Sequence, residues 1–130
     1  AVNVYDLAIY IFQPDVLEPN DDPASCFAIS SLFYVRLGVT IHDSFDEDWF
    51  CFDLPARGTP WDVTIDILFM HSLGDLEIDL FEDQGILFKV GRSRSDNEQI
   101  TETLPPGGFF IRVYGFGGAV NQYDLSLVAQ

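Results

Sequence analysis

Residues 61–69 read WDVTIDILF, and this stretch decides the fold class. Its odd-numbered positions are all apolar, and its even-numbered positions are polar as far as Asp66. Because successive side chains of an extended strand point to opposite faces, the pattern predicts a strand with one face in a core and the other in water. Residues 75–80 and 109–114 alternate in the same way, so several such strands are expected.

Short strands of this kind recur along the whole chain. We count eight or nine of them, at intervals of about 10 residues and with turns rich in Gly and Pro between them. Residues 26–34 are ambiguous between a short helix and a strand. The pattern is typical of an all-β protein, an antiparallel β-sandwich or a jelly roll. We expect one domain at residues 17–130, preceded by an extension strand at residues 1–16.

The composition excludes several classes of partner. The chain carries 6 Lys and Arg residues against 21 Asp and Glu residues, a formal net charge of −15. Neutralising phosphates requires clustered Lys and Arg, so we expect no nucleic acid partner. We also expect no membrane insertion, because the chain has no run of about 18 apolar residues. A hydrophobic fraction of 48% predicts a folded chain rather than a disordered one.

Two loop segments concentrate oxygen-bearing side chains. They are Glu18, Asn20 and Asp21 in the first segment and Asp43, Asp46 and Asp48 in the second. Closely spaced Asp residues in loops can supply the roughly 6–8 oxygens that a Ca²⁺ ion takes, although the spacing is not that of an EF-hand. The residues alone leave two interpretations open, a cation site or solvated turns.

The two cysteines, Cys26 and Cys51, are compatible with one disulfide or with two buried thiols. In a secreted protein a bridge between them would close a loop of about 25 residues and contribute roughly 3 kcal/mol to stability. A Cys-rich zinc pattern is absent from the sequence.

The two histidines do not predict catalysis. His42, Asp43 and Ser44 are residue types of a hydrolytic triad, but neighbours on a strand face opposite sides, and a triad needs residues from separate segments. We therefore expect no enzyme. Residues 115–118 read GFGG between two strands, which favours a hairpin turn over a phosphate loop.

Residues 2–12, VNVYDLAIYIF, are apolar on both faces of a predicted strand, and such a strand needs cover on both faces. It is either an added strand of its own sandwich or a strand inserted into a neighbouring subunit. A head-to-tail contact of the second kind repeats into a filament if it does not close. The positions expected to make the contact are Val2, Val4, Tyr5, Leu7, Ile9 and Ile11.

Five motifs in order carry a resemblance to a known family. They are EPND at 18–21, DEDWFCF at 46–52, LGDLEIDLF at 73–81, LPPGGFFIRVY at 104–114 and NQYDLSL at 121–127. With them the chain resembles the bacterial pre-peptidase C-terminal domain, which is related to the collagen-binding domains of collagenases. The resemblance covers about residues 18–128, and residues 1–16 lie outside it.

The resemblance implies a secreted, extracellular and non-catalytic β-sandwich. Because the related collagen-binding domains bind calcium near the start of the sandwich, it favours a structural calcium that joins the two acidic loops. We expect the partner to be a second copy of the chain or another extracellular protein or polymer, in a filament or matrix. The alternative is an accessory, substrate-binding domain of a secreted peptidase or other hydrolase, with Tyr34, Trp61 or Tyr114 exposed for binding.

Overall fold

The computed structural model describes residues 12–83, 87–91 and 97–130, and for residues 87–91 it describes the backbone only. The six positions of the predicted N-terminal contact, from Val2 to Ile11, therefore lie outside the described residues. Arg92 and Arg94 also lie outside the described residues.

The described residues form nine strands in two sheets. The strands are β1 (Phe27–Ile29), β2 (Phe33–Ile41), β3 (Glu47–Leu54), β4 (Trp61–Leu68), β5 (Leu76–Glu82), β6 (Leu87–Gly91), β7 (Asn97–Leu104), β8 (Gly107–Gly115) and β9 (Asn121–Ala129). One sheet has the order β1-β3-β8-β5-β6, and the other has the order β2-β9-β4-β7. Single 3₁₀ turns lie at Pro23–Ser25, His71–Leu73 and Phe116–Gly118. In the described part of the chain, no helix is long and apolar enough to cross a membrane.

The two sheets bury their inner faces against each other, as the alternation at residues 61–69 predicts. In β4 the side chains of Val63, Ile65 and Ile67 are buried, and the intervening polar side chains are at the surface. The other strands add to the core in the same way, with Phe50, Ile78, Leu80, Ile111, Val113, Leu125 and Leu127. The predicted all-β sandwich is therefore confirmed.

The pairing of β1 departs from the expected antiparallel order, because β1 pairs with β3 in parallel. The chain between them passes through β2 of the opposite sheet, and such a crossover returns the chain in the same direction. Cys26 and Cys51 lie at this pair and are joined by a disulfide, with their Cα atoms 5.8 Å apart.

The prediction of a hairpin turn at residues 115–118 is wrong. Strands β8 and β9 belong to different sheets, so this turn carries the chain across the sandwich. A side chain at Gly115 would overlap the carbonyl oxygen of Ala119, and Gly117 and Gly118 have φ values of 62° and 83°. The glycines therefore serve a tight crossover between sheets.

The acidic side chains of β5 were expected to face water, and the structure corrects this expectation. Glu77 and Asp79 are buried on the outer side of the sheet. The Tyr114 hydroxyl donates to Glu77 at 3.0 Å, and Arg112 Nη1 lies 3.5 Å from Asp79. Alternation alone does not show that longer neighbouring side chains cover the polar face of a strand.

Candidate metal centre

The first acidic loop lies against the start of β3. The backbone N–H of Trp49 donates to the carbonyl oxygen of Asn20 at 2.7 Å, which fixes the loop beside the strand. Asn20 and Asp48 are completely buried, and Asp46 is 5% exposed. The fold thus removes three polar side chains of the two predicted segments from water.

The amide of Asn20 lies directly among carboxylates. Its terminal oxygen, as oriented in the structure, is 3.0 Å from Glu18 Oε2 and 3.1 Å from Asp48 Oδ1. Oxygens this close repel each other unless the amide turns to present its nitrogen or a cation lies between them. Separations of about 3 Å also occur between ligands of a cation bound at about 2.3–2.6 Å, so the arrangement is compatible with calcium.

Asp15, Glu18 and Asp48 form one group of carboxylates, each with an oxygen within 4.8 Å of the others. The Asp15 carboxylate accepts from the N–H groups of Leu17 and Thr40, at 2.8 and 2.9 Å. The Tyr123 hydroxyl donates to Asp48 Oδ2 at 2.5 Å. These bonds engage both oxygens of Asp15 and Oδ2 of Asp48, and they hold the two carboxylates in place.

Glu18 also belongs to a second group, with His42 and Asp46, whose ligand atoms again lie within 4.8 Å of one another. Asp46 Oδ2 accepts from the backbone N–H of His42 at 3.0 Å and lies 2.7 Å from His42 Nδ1. The other oxygen, Asp46 Oδ1, is buried and has no hydrogen-bond partner among the residues that the structure describes. A buried carboxylate oxygen of this kind requires a proton or a cation.

The electrostatics of the cluster agree with this requirement. Burial raises the pKa of Asp46 to about 7 and that of Asp48 to about 10, and it raises the pKa of Glu18 as well. Burial also opposes the charged form of His42, but the carboxylates of Asp46, Asp43 and Glu18 together outweigh it and raise the pKa of the imidazole. Ionising all the carboxylates therefore calls for positive charge at this position.

The structure brings together Glu18, Asn20, Asp46 and Asp48 of the six predicted residues. Asp21 is exposed at the rim, where its carboxyl raises the pKa of Asp46. Asp43 is exposed and lies outside both groups. Its carboxylate accepts from the N–H of Phe45 at 2.9 Å.

Sequence reasoning missed three members of the site: Asp15, His42 and Tyr123. Asp15 precedes the EPND segment and Tyr123 lies in the last strand, so no local spacing relates them to the loops. The expectation that His42 and Asp43 face opposite sides is wrong. Strand β2 ends at Ile41, and in the following turn His42 Nε2 lies 3.3 Å from Asp43 Oδ2.

The donor set fits a hard cation. Carboxylate oxygens predominate, which is the chemistry that calcium prefers. Asp15, Glu18 and Asp48 are placed to hold such an ion together, and Glu18 and Asp46 belong to the second group with His42.

Comparisons with known proteins identify the fold. No protein-family model and no curated protein matches the chain. Among solved structures, the pre-peptidase C-terminal domain of a collagenase from Bacillus anthracis superposes with a TM-score of 0.64 and 16% identity, over 78% of this chain and 93% of that chain. The chain has the fold of a pre-peptidase C-terminal domain. The resemblance seen in the sequence is thereby confirmed at the level of the fold.

A second solved structure shows the same architecture. It is PliG from Aeromonas hydrophila, a periplasmic inhibitor of g-type lysozyme, with a TM-score of 0.57 and 14% identity. The match covers 81% of this chain and 96% of that chain. This chain is thus similar in fold to a periplasmic lysozyme inhibitor as well as to a collagenase domain.

Proposed function

We propose that the chain is a non-catalytic β-sandwich module that binds calcium structurally and works outside the cell through contacts with other proteins. The observation that carries the calcium proposal is the buried cluster around Glu18, Asp46 and Asp48. Three carboxyl groups there have raised pKa values, and one buried oxygen of Asp46 has no hydrogen-bond partner among the described residues. A divalent ion would offset two of the negative charges that form when these groups ionise.

The burial of the cluster supports a structural role for the ion. Asp48 is completely buried, and Tyr123 donates to it from the core. An ion held there would join the loop at residues 18–22 to the start of β3. The His42 imidazole lies 2.7 Å from Asp46 and 3.3 Å from Asp43, and these carboxylates favour its cationic form.

A calcium titration tests this proposal. Thermal unfolding of chelator-treated protein is measured with and without Ca²⁺, and an ion that binds only the folded state stabilises it by about 2.7 kcal/mol at 100 times its Kd. We expect the midpoint to rise in the wild type and in Asp43→Asn, the matched control from the same loop. In Asp46→Asn the rise should be lost while the metal-free midpoint is kept or increased, because a buried charge has been removed.

Two results would contradict the calcium site. One is a wild-type midpoint that does not respond to Ca²⁺. The other is an equal response in Asp46→Asn and Asp43→Asn, which would place the ion elsewhere.

Two features support a location outside the cell. A disulfide between Cys26 and Cys51 persists in oxidising compartments and is rare in the reducing cytosol. Two of the solved structures that are similar to this chain are a domain of a collagenase and a periplasmic inhibitor.

We propose that the partner is a second copy of the chain. The apolar segment at residues 2–12 of one copy would join the next copy as an added strand. Sedimentation velocity of the purified chain tests assembly, and electron microscopy distinguishes fibres from closed oligomers. A chain that remains monomeric at all accessible concentrations would overturn assembly and leave the calcium proposal intact.

The alternative is an accessory domain of a secreted hydrolase, which the likeness to the collagenase domain favours. The aromatic residues expected to bind a polymer are only partly exposed. Tyr34 packs on the core, Trp61 is covered by Arg57 at 3.5 Å, and Tyr114 is covered by Arg112 at 4.0 Å. Co-sedimentation with insoluble collagen by a monomeric chain would support this alternative over self-assembly.

A further inference from the structure

The turn after β2 places an imidazole nitrogen among the oxygens of the metal centre. His42 Nδ1 lies 2.7 Å from Asp46 Oδ2, and Glu18 completes a set of three residues whose ligand atoms lie within 4.8 Å of one another. We call Glu18, His42 and Asp46 the histidine group. It offers one nitrogen beside carboxylate oxygens, whereas the group of Asp15, Glu18 and Asp48 offers carboxylate oxygens alone.

The second ring nitrogen of His42 faces a carboxylate outside the histidine group. His42 Nε2 lies 3.3 Å from Asp43 Oδ2, and the other oxygen of Asp43 accepts from the backbone N–H of Phe45 at 2.9 Å. Histidines that bind a metal ordinarily donate their second ring N–H to a carboxylate or a carbonyl oxygen, which fixes the ring and its tautomer. Asp43 is placed to orient His42 in this way, with Nδ1 directed to the histidine group.

Asp46 supplies an independent sign that a cation belongs here. Its side chain is completely buried, and Oδ2 accepts from the backbone N–H of His42 at 3.0 Å. Its Oδ1 atom is buried and has no hydrogen-bond partner in the described part of the chain. The bond to His42 therefore satisfies one oxygen of this carboxylate, and the other still requires a proton or a cation.

One calcium ion does not balance the charge of the two groups. They contain four carboxylates, those of Asp15, Glu18, Asp46 and Asp48, and a divalent ion offsets two of the four negative charges. Each carboxylate has two oxygens with several acceptor positions, so a shared carboxylate such as Glu18 can serve two ions at once. The charge of the cluster is thus sufficient for a second divalent ion.

We propose that the histidine group binds Zn²⁺ or a similar divalent transition-metal ion, beside the calcium of the neighbouring carboxylates. This inference rests on the proposed metal centre and names a second ion that it takes. Calcium and magnesium take oxygen ligands, whereas imidazole suits zinc and other first-row transition metals. Zinc accepts three protein ligands with water in the fourth position, and Glu18 and His42 are both accessible to water.

A calorimetric titration with Zn²⁺ tests the histidine group in excess Ca²⁺, on protein from which metal and chelator have been removed. Because Asp46 can contact both ions, His42 is the residue that distinguishes them. Loss of even an outer-shell partner costs about 10–100-fold in metal affinity, so His42→Asn should weaken Zn²⁺ binding at least about tenfold. His71→Asn is the matched control, since His71 Nε2 also lies near a carboxylate, 3.5 Å from Asp75. It should bind Zn²⁺ like the wild type.

Nuclear magnetic resonance locates the ion in the wild type without any substitution at the site. The chain has two histidines, so a spectrum of the imidazole nitrogens contains two sets of signals, which the spectrum of His71→Asn assigns. We expect Zn²⁺ to shift the ring nitrogens of His42 and to leave those of His71 unchanged. A shift confined to His71, or no shift at all, would overturn the histidine group.

The results separate this inference from the calcium proposal, because the response to Ca²⁺ is measured without Zn²⁺. A wild type that responds to Ca²⁺ but binds no Zn²⁺, or that releases Zn²⁺ in excess Ca²⁺, overturns the second ion alone. Equal Zn²⁺ affinities of His42→Asn and His71→Asn overturn it as well. A wild type that binds Zn²⁺ through His42 without responding to Ca²⁺ overturns the calcium proposal and supports the histidine group.

Discussion

At residue 48 the fold places a carboxyl group where water does not reach it. Residues 46–48 are all acidic, and of these three only Asp46 and Asp48 are buried. The Tyr123 hydroxyl stabilises its charged form, but burial outweighs this bond and raises the pKa of Asp48 to about 10. The carboxyl group of Asp48 therefore needs either a bound proton or a nearby cation.

The Tyr123 hydroxyl should matter more than a comparable hydroxyl that lacks a partner. In Tyr123→Phe the buried Asp48 loses a donor, and a group left without its hydrogen bond costs about 1–3 kcal/mol. Tyr34→Phe is the matched control, because the Tyr34 hydroxyl is buried and has no hydrogen-bond partner in the described part of the chain. Urea unfolding in calcium should show a large loss for Tyr123→Phe and none for Tyr34→Phe. Equal losses would mean that the bond to Asp48 contributes nothing specific.

The composition of the site was only partly predictable. Local spacing identified Glu18 and Asp48, because both lie in dense acidic segments. Local spacing gave Asp43 and Asp46 equal weight, although the Asp43 side chain caps a turn at the surface and the Asp46 side chain is buried. Which of two neighbouring carboxylates turns inward depends on contacts with distant residues, and sequence spacing does not contain that information.

At the scale of elements, the turn at residues 115–118 shows what composition alone does not determine. Its glycines indicate a tight turn, but they do not show which strands the turn connects. The chain crosses between sheets here because β8 pairs with β3 and β5 while β9 pairs with β2 and β4. Pairing between distant segments thus decided between a hairpin and a crossover.

Gly115 should be the least replaceable glycine of this element. In Gly115→Ala the new methyl group would meet the carbonyl oxygen of Ala119, and relieving such a clash costs about 1–3 kcal/mol. Gly58→Ala is the control, since nothing lies within 4 Å of its added Cβ. We expect a lower urea midpoint for Gly115→Ala and an unchanged midpoint for Gly58→Ala. An unchanged midpoint for Gly115→Ala would contradict the close approach.

At the scale of the whole molecule, the net charge of −15 divides into a solvated part and a buried part. Acidic residues such as Asp62 and Asp53 lie at the surface, where water screens them. Asp46 and Asp48 are buried, and Glu77 and Asp79 are buried on the outer side of β5. The buried part makes stability dependent on pH and on cations.

The metal-free protein should lose stability as the pH rises. A carboxyl whose pKa is higher in the folded chain binds its proton more strongly there. Its contribution to the free energy of unfolding is therefore complete below the unfolded pKa of about 3.9 and declines as the pH rises above that value. For Asp46, with a pKa of about 7, the decline extends to about neutral pH, and the raised pKa values of Glu18 and His42 act in the same direction.

Urea unfolding in chelator at pH 5 and pH 8 measures this dependence. We expect a lower midpoint at the higher pH, a shallower decline in Asp46→Asn, and recovery at pH 8 when Ca²⁺ is added. A metal-free midpoint that rises between these two pH values would contradict the buried, proton-binding cluster.

The sequence by itself determined the all-β class, the strands around the alternating segments and the acidic loops that enter the site. These properties follow from the local period of apolar residues and from the turn preferences of Gly, Pro and Asp, which act over a few residues. The tertiary structure alone decided the parallel β1–β3 pair, the crossover at residues 115–118 and the burial of Glu77 and Asp79. It also brought Asp15, His42 and Tyr123 to the carboxylates, because sheet pairing places segments far apart in sequence side by side.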